Sequence, residues 1–151
     1  MCISGTAYAT VHGWRDCLCD AIVFVRAHPH PAILVVDLKS GRIDVDEVVE
    51  QLRNGAEVAD RLGWPERERP TFLPVVLSGR RQDPNVHRLL QSPASRVRFR
   101  SRPPIRIDVR PCGTALGELL GWGSVPGLGG NRGPKRGARN LARNGSGHPP
   151  G

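Results

Sequence analysis

Asp20, Asp37 and Lys39 are the residues of this chain whose types and spacing could do chemistry. Asp20 opens the apolar run DAIVFV, and Asp37 and Lys39 close a second run, AILVVDLK, with RAHPHP between the two. Two short β-branched runs joined by a Pro-rich hinge predict an antiparallel hairpin. With its turn centred near His28 and Pro29, Asp20 falls opposite Asp37; with the turn centred one residue later, it falls opposite Lys39. Opposed residues have Cβ atoms about 4.5 to 5.5 Å apart, so either register gathers the three groups. Alternation along the strand puts Asp37 and Lys39 on one face and turns Leu38 to the other, toward the core.

Asp37 follows four apolar residues, Ile33 to Val36, in what should be an interior strand. A carboxylate there bears a desolvation cost unless it is paired or bound to a metal. Hard oxygen ligands favour Mg²⁺ or Mn²⁺.

The elements that must position these groups follow from pattern. Val45, Val48, Val49, Leu52, Ala56, Ala59 and Leu62 recur at three- and four-residue steps, one apolar stripe of an α-helix. Asp44 caps it, with Glu47 three residues on completing a capping box, and Gly63 and Pro65 end it. Gly55 in its middle costs about 1 kcal/mol relative to Ala. Residues 6 to 12, TAYATVH, read as a first strand and FLPVVLSG, from Phe72, as a buried one in which Pro74 limits regular pairing. A short helix is expected from Pro84 to Leu90. VRFR at 97–100 and IRIDVR at 105–110 alternate apolar and basic residues as half-solvated strands do. Their basic face carries Arg96, Arg98, Arg100, Arg106 and Arg110. No internal repeat is present. Together these predict one α/β or α+β domain over residues 1–123, a mixed sheet with a long helix after the central hairpin.

Residues 124–151 are dominated by Gly, Pro, Asn and Arg, lack aromatic residues and contain Arg132, Lys135, Arg136, Arg139 and Arg143 without an Asp or Glu. Such a segment is expected to be a disordered basic tail, because it cannot bury enough apolar surface to offset its ordering entropy. Removing its five positive charges from the net +8 of the whole chain leaves about +3 for the domain. That balance suits a polyanionic partner, nucleic acid first, though a merely solubilising tail has the same composition. The longest apolar runs, Ala21 to Val25 and Ala32 to Val36, are too short to span a bilayer. With no secretory leader in evidence, the four cysteines are read as reduced thiols in a cytoplasm. Cys17-x-Cys19 with His12 or His28 matches no ordinary closed zinc site, and GLGGNRG lacks the Lys-Ser/Thr and preceding strand of a phosphate loop.

The order Asp20, apolar strand, hinge, second strand, Asp37-Leu38-Lys39 and helix resembles the PD-(D/E)XK, or restriction-endonuclease-like, nuclease superfamily. More narrowly, DAIVFVRAHPHP and LVVDLKSG are similar to stretches of actinobacterial members, over about residues 6 to 120. The resemblance implies a restriction-endonuclease-like sheet. It also implies that Asp20, Asp37 and the Leu38 backbone carbonyl bind Mg²⁺ or Mn²⁺, and that Lys39 orients or activates a water for attack on phosphorus in DNA. Arg98, Arg100, Arg106 and Arg110 would contact the nucleic acid, and a homodimer would be needed to cut both strands. Gln51 on the long helix could contact the site, as polar residues there do in similar proteins, or simply face solvent. Many members carry a further acid on a helix before the first strand; its absence here suggests an N-terminally truncated or degenerate copy. Two other readings stand beside the nuclease: a non-catalytic nucleic-acid-binding or regulatory module of the same fold, and an inactive fragment.

Overall fold

The structure, a computed structural model, describes residues 1–13, 18–26, 31–64, 69–80 and 82–121. Strands β1 (Cys2–Ser4), β2 (Ala21–Val25), β3 (Ala32–Lys39), β4 (Thr71–Ser78) and β5 (Asp108–Pro111) form one mixed sheet in that spatial order. Helix α1 (Gly5–His12) follows β1, α2 (Val45–Arg61) lies between β3 and β4, α3 (Pro84–Leu90) between β4 and β5, and α4 (Leu116–Leu119) after β5. β1 and β2, and β2 and β3, pair antiparallel, whereas β4 runs parallel to both β3 and β5. This is an α+β arrangement with the chemistry-bearing strand, β3, at its centre.

Alternation along β3 sorts the core into two faces. Ile33 and Val35 join Ile22, Phe24, Phe72 and Val76 beneath the apolar stripe Val48, Val49, Leu52, Ala56 and Ala59 of α2. Ala32, Leu34 and Val36 face the opposite way with Val75, and Leu119 and Leu120 pack partly against them. Leu38 also points to that second face, but it is 52% exposed rather than buried in the core. It lies two residues beyond Val36, where β2 has already ended, so no neighbouring strand shelters it on that side.

Helix α2 forms where the apolar stripe places it. Asp44 accepts from the amides of Asp46 and Glu47 at 3.1 and 3.3 Å, satisfying two of the helix's orphan donors. The Glu47 carboxylate does not complete a reciprocal box; it turns to Lys39 and Gln51 instead. Gly63, at φ +78°, ends the helix, donating its N–H to the Asp60 carbonyl. Gly55 is a contact requirement: a Cβ there would collide with Val35 Cγ1 and stand 2.5 Å from Cys19 Sγ, so its hydrogen lets α2 lie close on β3.

Two expectations are corrected. Residues 6–12 are helical, not a strand: Ser4 caps α1, accepting from the Ala7 amide at 3.4 Å, and Gly13 closes it in the left-handed conformation. The small residues Gly5, Ala7 and Ala9 carry too little periodicity to announce a helix, and the strand that does form there is the short one before it. Of the two alternating basic segments, 97–100 forms no strand and joins the other only through the isolated antiparallel bridge Val97–Ile105, while the second is a strand from Asp108 onward, beside β4. Pro74 is tolerated because β5 pairs only with Val75–Ser78, leaving β3 as the one strand beside it. The hinge residues 27–30, Cys17 and the basic tail lie outside the described residues. Among the described residues no helix is long and apolar enough to cross a membrane.

Candidate active site

The hairpin register brings the site together. Ala21 pairs with Val36 and Val25 with Ala32, the register in which Asp20 continues opposite Asp37. Beyond the last pair, Asp20 Oδ2 takes the place of a strand partner and accepts the Leu38 amide at 2.6 Å. The Asp20 backbone carbonyl is held in turn by the Gly5 amide at 2.9 Å. One Asp20 oxygen is therefore committed to the β3 backbone, in a charge-assisted bond.

Asp37 is the chemically unusual member. Its side chain is 2% exposed, and among the described residues its Oδ2 is a buried polar atom without a hydrogen-bond partner. Lys39 Nζ stands 3.3 Å from that oxygen, an ion-pair contact that lacks hydrogen-bond alignment. Burial pushes the Asp37 carboxyl up to about 6, the neighbouring Asp20 adds to the rise, and Lys39 opposes it. Two carboxylates and one ammonium thus share a site too dry to leave Asp37 comfortably ionised by itself.

Lys39 is locked from the other side by α2. Its Nζ donates to Gln51 Oε1 at 2.9 Å and to Glu47 Oε1 at 3.4 Å, and Gln51 Nε2 donates to Glu47 Oε1 at 3.1 Å. Burial works against the charged ammonium, but Asp37 and then Glu47 outweigh it, so the Lys39 pKa is raised and the side chain stays protonated. Of the two readings of Gln51, the structure takes the one in which it touches the site. Glu47 was missed as a site residue because it served as a cap; its place four residues before Gln51, on one helix face, was the available signal.

What the cluster can do chemically follows from these contacts. It presents the Asp20 carboxylate beside Asp37, a buried Asp37 oxygen whose close partner is the Lys39 ammonium, and that fixed cation, all at the C-terminal end of β3. An oxygen-only donor set of this kind suits a hard divalent cation, and the orphaned Asp37 Oδ2 fits one. Among the described residues no group of three or more His, Cys, Asp or Glu side chains is arranged for a metal, so any such ion would rely on the two aspartates and a backbone carbonyl. Cys19 is a buried thiol pushed up to about 12, first by burial and then by Asp37 and Asp20, which makes it an inert packing group.

The arginines expected to form one basic face are divided. Arg110, on β5, pairs with Leu77 near the C-terminal end of β4, the end where Lys39 pairs with Ser78. Arg100 lies at the other end, bound to Asp60 at 2.6 Å near the C-terminus of α2 and placed over Phe99. Arg96, Arg98 and Arg106 are exposed beside the Val97–Ile105 bridge, with the Arg96 carbonyl accepting from Arg53 at 3.4 Å. Ser78, whose distance in sequence from any His or Asp says nothing about a triad, is buried at 5% and paired in register with Lys39. No family model matches this chain, and neither does any curated protein or solved structure.

Proposed function

We propose that the protein is a divalent-metal-dependent nuclease that hydrolyses DNA phosphodiester bonds by direct attack of water. The observation that carries this reading is the buried Asp37 Oδ2, left without a hydrogen-bond partner beside Asp20 and a clamped Lys39. Its one close partner is the Lys39 ammonium at 3.3 Å, and a buried carboxylate with so little solvation suits a bound cation.

Asp20, Asp37 and the Leu38 carbonyl would hold Mg²⁺ or Mn²⁺. The ion would supply polarisation of the phosphodiester and neutralisation of its growing negative charge. The chain's own residues do the rest. Asp20 ties its other oxygen to the Leu38 amide and so fixes the backbone whose carbonyl completes the set. Lys39, held protonated by Asp37 and Glu47, directs an N–H toward the attacking water or the phosphate oxygens and stabilises charge there. Gln51 and Glu47 are positioning residues that keep the ammonium over the site.

Purified protein should therefore degrade DNA with Mg²⁺ or Mn²⁺ and stop in EDTA, while Ca²⁺ supports binding without cleavage. Asp37→Ala should abolish cleavage. Lys39→Ala should retain DNA binding and cut more slowly by a factor on the order of 10² to 10³. A binding or regulatory module is favoured by one specific feature, the Asp37–Lys39 ion pair, which already gives the buried carboxylate a counter-charge. It predicts salt-sensitive DNA binding indifferent to EDTA and to Asp37→Ala. Metal-independent binding with no cleavage under any divalent ion would replace the enzyme with that module.

A further inference from the structure

The strands β3 and β4 end side by side at the cluster, and the chain carries an arginine just beyond each of them. Ser78 pairs in register with Lys39, and the Gly79 amide donates to the Lys39 carbonyl at 2.9 Å, so the two exits lie abreast. Past these exits, Arg42 and Arg80 line one hollow of about 410 Å³, with Gly41, Ile43, Gln82 and Val86 in its wall. Chain length bounds their distance from the site. Arg42 follows Lys39 by three residues, at most about 11 Å of extended chain. Arg80 follows Ser78 by two, at most about 7 Å, on a strand about 4.8 Å from β3. Both backbones therefore stand within about 12 Å of Lys39.

The turn after β4 is held in place. The Ser78 hydroxyl donates to the Arg80 carbonyl at 2.8 Å and accepts from the Arg80 amide at 3.3 Å, and Gln82 Nε2 donates closely to the same hydroxyl. The Arg80 backbone is thus fixed at both its polar groups, while the residue itself is exposed, as is Arg42. Two carboxylates stand nearby, and each is occupied at a helix start. Asp44 accepts from the Asp46 and Glu47 amides, and Asp83, which also lines the hollow, from the Asn85 amide at 2.7 Å. Among the described residues neither Arg42 nor Arg80 forms an ion pair.

Other arginines at the strand ends differ. Arg100 is bound to Asp60, and Arg110 is bound to Asp108 beside Leu77, whose side chain belongs to the second face, across the sheet from Lys39. An ion-paired cation must give up its partner to meet a phosphate. An exposed, unpaired guanidinium gives up only water, its planar fork matches phosphate oxygens, and the contact releases counterions from the nucleic acid.

We propose that Arg42 and Arg80 form the nucleic-acid contact flanking the site, each holding a backbone phosphate of the strand whose reacting bond faces Lys39. A strand advances about 3.4 Å of axis per nucleotide, so the phosphates they take lie within a few nucleotides of that bond. The assignment deepens the nuclease reading and rests on it for the role of placing the bond. The contact itself needs neither metal nor catalysis, which lets the two ideas fail separately.

The test is fluorescence anisotropy of the full chain with a labelled DNA duplex in EDTA, across about 50 to 200 mM salt. Arg42→Gln and Arg80→Gln should each weaken binding at least threefold at the lowest salt. Each should also lower the slope of log K against log salt by about 0.9, and the double variant by about twice that. The losses should be equal on a second, unrelated sequence, because phosphates carry no base information. Arg42→Lys and Arg80→Lys keep the charge and should keep the slope, which a merely structural role would not predict. Arg69→Gln removes an equal charge from an exposed residue before the opposite end of β4, and should change the slope by less than a third as much. Melting temperatures verify that every variant folds. No binding in EDTA, an unchanged slope in either glutamine variant, or an equal loss in Arg69→Gln would each overturn the contact. Binding with these losses but no cleavage under any divalent ion keeps the contact and removes the nuclease; cleavage with unchanged slopes does the reverse.

Discussion

The two ends of the central strands are built from the same sheet and covered by the same helix, yet they obey opposite rules. At the start of β3 and β4, Phe72 stacks on Phe99 with ring centroids 4.5 Å apart, and Phe24 stacks on Trp64 at 6.0 Å. At the other end stand Asp37 and Ser78, two of the three buried polar residues among those described. The aromatic end is closed by stacked rings with arginines laid over them, Arg26 on Trp64 and Arg100 on Phe99, and buries no carboxylate among the described residues. The polar end satisfies Ser78 through its turn but leaves Asp37 Oδ2 with the Lys39 ammonium, 3.3 Å away, as its only close partner. A fold supported at one end can carry an electrostatically costly group at the other, and that buried carboxylate is where function is to be sought.

The largest effect should come from breaking the aromatic end. Phe72→Ala removes a fully buried ring and should cost about 3–5 kcal/mol in urea denaturation, whereas a loss below about 1 kcal/mol would show that the support lies elsewhere.

The polar end should behave in the opposite sense. Asp37 has a folded pKa raised from 3.8 to about 6, so its protonated form contributes stability that is complete below 3.8 and is lost as pH rises through about 6. In EDTA, Asp37→Asn should therefore be more stable than the parent above pH 6, by on the order of 1–3 kcal/mol. The advantage should vanish near pH 4. Thermal melts across that window check it; a variant less stable at pH 8 would mean that the Lys39 ion pair outweighs the burial cost.

Between the two ends lies the contact of α2 on β3. Gly55→Ala gains about 1 kcal/mol of helix propensity, but the new methyl meets Val35 and Cys19 Sγ in the core. Overpacking of this kind costs about 1–3 kcal/mol, so the variant should be net destabilised, and a stabilised one would show that α2 can lift off β3 without penalty. The smallest effect belongs to Arg100→Ala, which removes a partly exposed ion pair with Asp60. It should shift stability by less than about 1 kcal/mol, as measured in the same urea series.

Much of this was legible in the sequence because it depends on local period and count. The β2–β3 hairpin followed from two apolar runs about one hinge, with the structure choosing between its two open registers, α2 from its apolar stripe and Asp44 cap, and the shared face of Asp37 and Lys39 from two-residue alternation. Helix α1 was not legible, because small residues leave no periodic trace and its caps are single side chains. The loss of strand character between Val97 and Ile107 was hidden for a related reason: alternation says that a segment could pair, not that a partner is in reach.

What only the tertiary structure decided is which distant residues meet. The sequence alone determined the hairpin, the helix and the buried carboxylate on an interior strand. The parallel pairing of β3 with β4 then set Ser78 beside Lys39, and packing of α2 brought Glu47 and Gln51 onto its ammonium. The same packing divided the arginines, sending Arg100 to Asp60 at one end and leaving Arg110 with Asp108 beside Leu77 at the other. Long-range pairing is chosen by the burial of whole apolar faces, and no spacing within one segment encodes which polar side chains that burial will carry together.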